Sequence, residues 1–266
     1  MDNKQPGTAK VALIVKESDT QPLRLREIKA VCKSCSLIEL CLPVGLDRED
    51  VDALDGIVQR RRPLEKGSAL YRAGTRFAAV YAVRTGALKS SVLSEDGEEQ
   101  ITAFHLPGEM LGLDAISFGT HPSTAMALET SSICEIPFAE LEGLAAQVPG
   151  LQRQLLRVMS KEIFHEQEML QALARRTAEQ RLAILLLSLG DRFGRRGMSP
   201  TRFLLPMSRQ DVSNYLGLAP ETMSRLFKRF QDGGWITVNR REVRLEDVAA
   251  LKALTNNREI PLRRDP

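Results

Sequence analysis

The chain has no apolar run long enough to cross a bilayer. Its longest, Leu182–Leu189, is under half of the roughly 18 residues a span needs. The N-terminal stretch, with only Val11–Val15 apolar, lacks the charged-then-apolar order of a secretion signal. There is no P-loop, nucleophile elbow or paired-carboxylate motif. The three histidines, His105, His121 and His165, are scattered and read as structural. Acid–base and nucleophilic catalysis therefore have no foothold, and the chain reads as something other than an enzyme. Neither a 20–50-residue repeat nor a low-complexity tract is present. The expectation is a soluble cytoplasmic protein. With 266 residues, 43% of them apolar and 27% charged, it can bury one large or two modest cores.

A net charge of +3 hides an uneven distribution. Residues 171–266 hold 18 Lys/Arg against 10 Asp/Glu, whereas residues 1–170 hold 19 against 24. A basic C-terminal third on an acidic body suggests a polyanion-binding module joined to a separate regulatory part.

Residues 1–30 show no sustained period and read as an N-terminal tail. Cys32–Leu46 is a compact cysteine-rich loop closed by Pro43 and Gly45. Asp47–Val58 follows as a short amphipathic helix on Val51, Leu54, Ile57 and Val58, with Asp47 as its cap. Five β-prone runs (Ala69–Arg72, Ala78–Arg84, Ala87–Leu93, Gln100–His105 and Ser131–Ile136) are separated by Gly or Pro, which predicts a sandwich or barrel. Asp96-Gly97 supplies a hairpin turn between two of them. The span 31–150 thus reads as one domain of an α+β protein. From Phe138 to Arg176 the chain is helical with almost no breaker after Pro149-Gly150. Within 151–176, Leu156, Met159, Ile163, Glu166, Leu170 and Leu173 recur at 3-4 spacing, the seam of a parallel homodimer.

The segment 177–255 opens with a helix over Ala178–Phe193 and a loop over 194–201; residues 256–266 form a C-terminal tail. Ser208-Arg-Gln-Asp211 is a capping-box variant opening a helix to Leu216. Gly217 suits a turn, and Pro220 and Glu221 suit the first turn of a second helix whose buried stripe is Met223, Leu226, Phe227 and Phe230. Glu221, Ser224, Arg225 and Lys228 share its other face. This is what a helix-turn-helix needs: Arg can donate two bonds to guanine, Glu can accept from cytosine, and Ser can do either. Arg209 on the first helix joins the DNA-binding candidates. Beyond Gly233-Gly234, Trp235–Val238 and Val243–Leu245 flank Asn239-Arg240-Arg241-Glu242, a hairpin wing whose arginines, Arg240 first, would meet phosphate.

Cys32, Cys35 and Cys41 form C-x2-C-x5-C, and Cys134 closes a predicted strand. Disulfides are disfavoured in a reducing cytoplasm. Four thiolates, three clustered and one delivered by the fold, suit a tetrahedral metal or a 4Fe–4S cluster. The spacing leaves Zn, Fe–S and redox thiols open.

With these parts in order, the chain resembles the cyclic-AMP receptor protein/FNR family of bacterial transcription regulators, in particular its oxygen-sensing branch. The likeness rests on C-K-S-C-S-L-I-E-L-C-L-P at 32–43, E-E-Q-I-T-A-F-H-L-P-G-E at 98–109, A-L-E-T-S-S-I-C-E-I-P-F at 127–138 and Y-L-G-L-A-P-E-T-M-S-R at 215–225. It implies an N-terminal β-roll, a dimerisation helix and a C-terminal winged helix-turn-helix. Cys32, Cys35, Cys41 and Cys134 match the ligands of a 4Fe–4S cluster. Glu221, Ser224 and Arg225 match the readers of a TTGAT half-site, repeated as an inverted pair on double-stranded DNA. Glu166 stands where the family has an aspartate; facing its twin across the seam it repels, leaving the helix pair marginal. The loops around 193–201 and 94–97 fall where relatives touch RNA polymerase. No cyclic nucleotide is expected, because the stretch that would need an Arg-Ser pair reads His121-Pro122-Ser123.

Overall fold

The computed structural model describes residues 32–255; the expected tails 1–30 and 256–266 lie outside the described residues. A single 3-10 turn at Cys32–Ser34 leads through the cysteine loop into α1 (Arg48–Ile57). Asp47 caps α1 as expected, its Oδ1 accepting from Asp50 N at 2.9 Å.

Eight strands then build the roll: β1 (Gln59–Arg60), β2 (Ala69–Tyr71), β3 (Ala79–Thr85), β4 (Leu88–Leu93), β5 (Glu99–His105), β6 (Met110–Leu111), β7 (Thr124–Ala127) and β8 (Ser132–Pro137). They form two four-stranded antiparallel sheets, ordered β1-β8-β3-β6 and β2-β7-β4-β5. The β4–β5 hairpin turns at Gly97, whose φ of 78° is open to glycine at little cost. The five predicted runs correspond to β2, β3, β4, β5 and β8. The strands β1 and β6, two residues each, are too short to register as a pattern in sequence, and β7, Thr-Ala-Met-Ala, has only one β-branched residue. Between the sheets lie Tyr71, Tyr81, Val83, Leu88, Ala125 and Ile133.

The helical region after the roll is two helices, α2 (Phe138–Gln147) and α3 (Pro149–Arg175), broken at Val148 because Pro149 disfavours helical backbone in the residue before it. α3 therefore begins two residues earlier than the expected 151. α4 (Ala178–Gly194) starts with a complete capping box, Thr177 and Gln180 each bonding the other's backbone N–H. Then come β9 (Arg202–Leu204), α5 (Arg209–Tyr215), α6 (Pro220–Asp232), β10 (Ile236–Asn239), β11 (Glu242–Leu245) and α7 (Val248–Thr255). β9, β10 and β11 make a three-stranded antiparallel sheet in the order β10-β11-β9. β9 and α7 lie outside the runs that the sequence pattern marks.

Two further cores place the functional parts. One packs Leu42, Leu54, Val80, Met110, Ile136, Leu141 and Leu151 together, joining the cysteine loop, α1, the first sheet, α2 and the start of α3. The other joins the outer face of β4–β5, through Ile101, Phe104 and Leu106, to α4, α5 and α6. Among the described residues no helix is long and apolar enough to cross a membrane.

Candidate metal centre and nucleic-acid interface

The cysteine loop is held by the local backbone and by α1. Cys35 N donates to Cys32 O at 3.1 Å and Cys41 N to Leu37 O at 3.1 Å, while Cys32 N donates to Asp55 Oδ1 at 2.8 Å. Arg60 holds the same Asp55 carboxylate. These bonds bring Cys32, Cys35 and Cys41 to the wall of one cavity. Cys134 reaches it from the opposite side, from the middle of β8 and not from the strand's end as expected. The rest of the wall is mainly apolar, including Leu37, Ile38, Leu54, Val58 and Ile136. All four cysteines are half-buried free thiols.

Burial pushes the Cys32 and Cys41 thiols up to about 12, with Asp55 adding to it at Cys32, and burial raises Cys134 as well. Each feels the charge of another: Cys134 on Cys32 and Cys41, Cys35 on Cys41 and Cys134. Arg60 and Arg84 pull the other way at Cys134. An all-sulfur donor set with two cations beside it and apolar walls fits a soft, thiolate-bound inorganic group. The four do not close on a single point: among the described residues no three His, Cys, Asp or Glu side chains are grouped to hold one metal ion.

The second site is α5–α6. Ser208 and Asp211 form the expected capping box, with both bonds present. Gly217, at φ 61°, makes the turn, and Pro220 opens α6. Met223, Leu226, Phe227 and Phe230 are buried as expected. Glu221, Ser224, Arg225 and Lys228 all stand exposed on one face. Ser224 Oγ donates to Pro220 O at 3.0 Å, so its hydroxyl is already engaged within α6. Arg209 lies with its guanidinium carbon 4.2 Å from the Phe227 ring centre, a cation–π contact that seats α5 on α6. In the wing turn Arg240 is exposed at φ 55°. Arg241, also exposed, donates to Leu205 O at 2.8 Å and Pro206 O at 2.9 Å, so it ties the wing turn to the chain after β9.

A profile of the Crp-like helix-turn-helix domain matches residues 180–254, and one of the cyclic nucleotide-binding domain matches 61–148. The chain is 52% identical over 236 residues to the transcriptional activator protein Anr of Pseudomonas protegens, covering 88% of this chain and 97% of that protein. The chain belongs to the cyclic-AMP receptor protein/FNR family. The fumarate and nitrate reduction regulatory protein of Escherichia coli K12, another family member, is 45% identical over 226 residues, 85% of this chain and 90% of that one. Among solved structures, FixK2 from Bradyrhizobium japonicum superposes with a TM-score of 0.70 at 31% identity, covering 76% of this chain and 98% of that one. In family terms the roll is the nucleotide-binding-type sheet domain, and α5–α6 with the β10–β11 wing is the DNA-binding domain.

On α3, the expected seam divides. Leu156, Ile163 and Leu170 are 60%, 54% and 68% exposed, and Glu166 is exposed among them. Met159 and Leu173 are half-buried. A Cβ at Gly217 would come within 3.9 Å of Leu173, so the end of the seam lies against the turn between α5 and α6.

Contacts between the roll and the DNA-binding helices had no signal in sequence, because their partners stand about 80–120 residues apart. Asn214 of α5 behaves as an extra edge for β5. Its Oδ1 accepts from Ile101 N at 2.6 Å, its Nδ2 donates to Glu99 O at 2.6 Å, and its carbonyl accepts from Gln100 Nε2 at 3.0 Å. Lys89, 8% exposed, bridges Glu99 and Asp211 at 3.0 Å each.

Proposed function

We propose that this chain is an oxygen-responsive transcription regulator, active without oxygen as a homodimer on a TTGAT-type inverted repeat of double-stranded DNA. Cys32, Cys35, Cys41 and Cys134 would hold a 4Fe–4S cluster, which when bound ties the loop to β8 and which oxygen destroys. The observation that carries the reading is the convergence of a loop and a distant strand, all four cysteines included, on one cavity in a chain that also presents a helix-turn-helix. Four thiols on the wall of one mainly apolar cavity suit an iron–sulfur group, which takes one thiolate per iron, and a Zn site is the alternative that the iron assay separates.

The residues of the chain couple that site to pairing. Leu42 of the loop and Leu151 at the start of α3 belong to one core, with Cys32, Cys41 and Cys134 packed against it. Seating the loop therefore steadies the base of α3. Further along, Leu156, Ile163 and Leu170 leave apolar surface in water that a second α3 would cover. Glu166 lies in that stripe, and its charge opposes pairing until the seated base tips the balance. A two-fold pair then sets two α6 helices about 34 Å apart on adjacent major grooves. There Glu221, Ser224 and Arg225 read base edges, Ser224 as an acceptor since its proton is given to Pro220 O, while Lys228 and Arg240 meet phosphate and Arg209 supports them.

The loops around 94–97 and 193–201, with Leu93 and Met198 exposed beside and within them, would face RNA polymerase. A cyclic nucleotide is not part of this reading. Ser123 Oγ donates to the Asp114 carboxylate at 2.9 Å, placing negative charge where a cyclic phosphate would need a cation. The protein would act in the cytoplasm.

Anaerobic purification followed by iron and sulfide assay tests the cluster. Four irons and four sulfides per chain are expected, with visible absorption lost in air. An iron-free protein holding Zn, or only thiols, would replace the cluster with a structural metal or a thiol switch. On DNA, Arg225→Ala is expected to cost about 1–3 kcal/mol of binding and to relax choice at the guanine. An equal loss on random DNA would assign Arg225 to phosphate.

A further inference from the structure

The turn Leu106–Glu109, between β5 and β6, touches both functional parts of the chain. On one side it meets the cysteine loop. Gly108 adopts φ 89°, and a Cβ there would lie 2.9 Å from Leu40 Cβ and 3.8 Å from Leu37 Cβ. Only glycine lets the loop approach this closely, and Gly108 also lines the cysteine cavity. On the other side the turn grips the C-terminal end of α4 and the loop just after it. Glu109 pairs with Arg192, its Oε1 accepting from Arg192 Nε at 2.9 Å, and with Arg196 at 2.6 Å. Pro107 O accepts from Arg196 Nε at 2.6 Å, and Phe104 O accepts from Arg192.

The turn is itself stiff. Gly108 N donates to Val83 O at 2.7 Å, Val83 N to Glu109 O at 3.0 Å, and Leu106 N to Glu109 Oε2 at 2.9 Å. Two adjacent residues thus carry two contacts: Gly108 bears the sensor loop and Glu109 bears the helix that opens the DNA-binding domain.

We propose that this turn transmits the seating of the cysteine loop to α4 within a single subunit, with Glu109 as the positioning residue. With the loop seated on Gly108, the turn holds Glu109 where both arginines reach it, and α4 with α5–α6 is fixed on the roll. When the loop lifts, the turn relaxes and the clamp on α4 loosens. This route runs beside pairing through α3 and does not need it. It rests on the proposed function only in taking cluster loss as the event that lifts the loop.

The test uses the full-length chain carrying Ile163→Glu, which keeps it monomeric, loaded anaerobically and checked for iron by assay and for mass by ultracentrifugation. Backbone amide exchange is read over residues 190–197 before and after the cluster is removed in air. Exchange there is expected to rise about tenfold on removal. With Gly108→Ala added, the new Cβ would meet Leu40 Cβ at 2.9 Å and keep the loop from seating; the cysteines remain and the response is expected to vanish. With Glu109→Gln, exchange should be fast in both states, and Glu109→Asp should restore part of the protection. Unchanged exchange on cluster removal from the monomer, or a full response in Gly108→Ala or Glu109→Gln, overturns the proposal. A chain that binds no iron at all fails at the assay, before exchange is measured, and overturns instead the function on which the proposal rests.

Discussion

α3 and α4 follow one another with a single turn between them, and both are rich in leucine, yet they meet water in opposite ways. α4 buries Leu182, Leu185, Leu186 and Leu189 inside its own chain. α3 buries only Leu151, Gln154 and Ala172 and leaves Leu156, Ile163 and Leu170 more than half exposed. The difference is one of partner. α4 lies against the wing sheet, α6, α7 and the outer face of the roll, so its apolar stripe is satisfied intramolecularly. Between its base and its C-terminal end, where Ala172 is buried and Leu173 meets the α5–α6 turn, α3 leaves that stripe uncovered. A stripe of that kind has no use in a monomer, and the proposed second α3 gives it one.

The contrast can be broken or sharpened by mutation. The largest effect is expected in α4: Leu186→Ala should lower the free energy of unfolding by about 2–5 kcal/mol in denaturant titrations. A cost near zero would mean that α4 is not a core helix.

The joint between the two helices should come next. Arg181 donates to Leu173 O at 2.7 Å, Arg176 O at 3.1 Å and Leu216 O at 3.0 Å, so one guanidinium closes the ends of both α3 and α5. Arg181→Ala should cost about 1.5–3 kcal/mol and should disturb pairing and DNA binding together.

Acid should act on the clamp at α4. Burial would raise the Glu109 carboxyl, but Arg192 and Arg196 outweigh it and hold the group down at about 2, against an ordinary 4.5. The stabilisation is therefore complete above about pH 4.5 and is lost as the pH falls toward 2. Wild type should loosen over α4 in that window, and Glu109→Gln should show no such transition.

Smaller effects are expected on α3. Glu166→Ala should tighten the dimer in air by about 0.2–1 kcal/mol, read by sedimentation. Ile163→Ala should move monomer unfolding by no more than about 0.5 kcal/mol while weakening pairing. If Ile163→Ala instead unfolded the monomer as Leu186→Ala is expected to, the contrast between the helices would fail.

Much of this was legible in the residues. The caps at Asp47 and Ser208, the glycine turns at Gly97 and Gly217, the buried stripe of α6 and its polar face all lie where local spacing put them. Caps, turns and helical faces depend on neighbours within about four positions, which a sequence states directly. The two-residue strands β1 and β6 are too short to carry a period, β7 is mostly Ala and Met, and β9 needs β11 to exist. The bonds that tie Arg241 to the carbonyls at 205–206 span some 35 residues, which no local spacing marks.

The sequence by itself determined most of the helices, the caps and turns and the order of the parts, since each follows from local chemistry. Only the tertiary structure decided that a loop and the strand bearing Cys134 share one cavity, that Asn214 extends β5, and that Gly108 and Glu109 join the cysteine loop to α4. Those contacts span tens of residues, and their partners carry no mark of each other until the chain has folded.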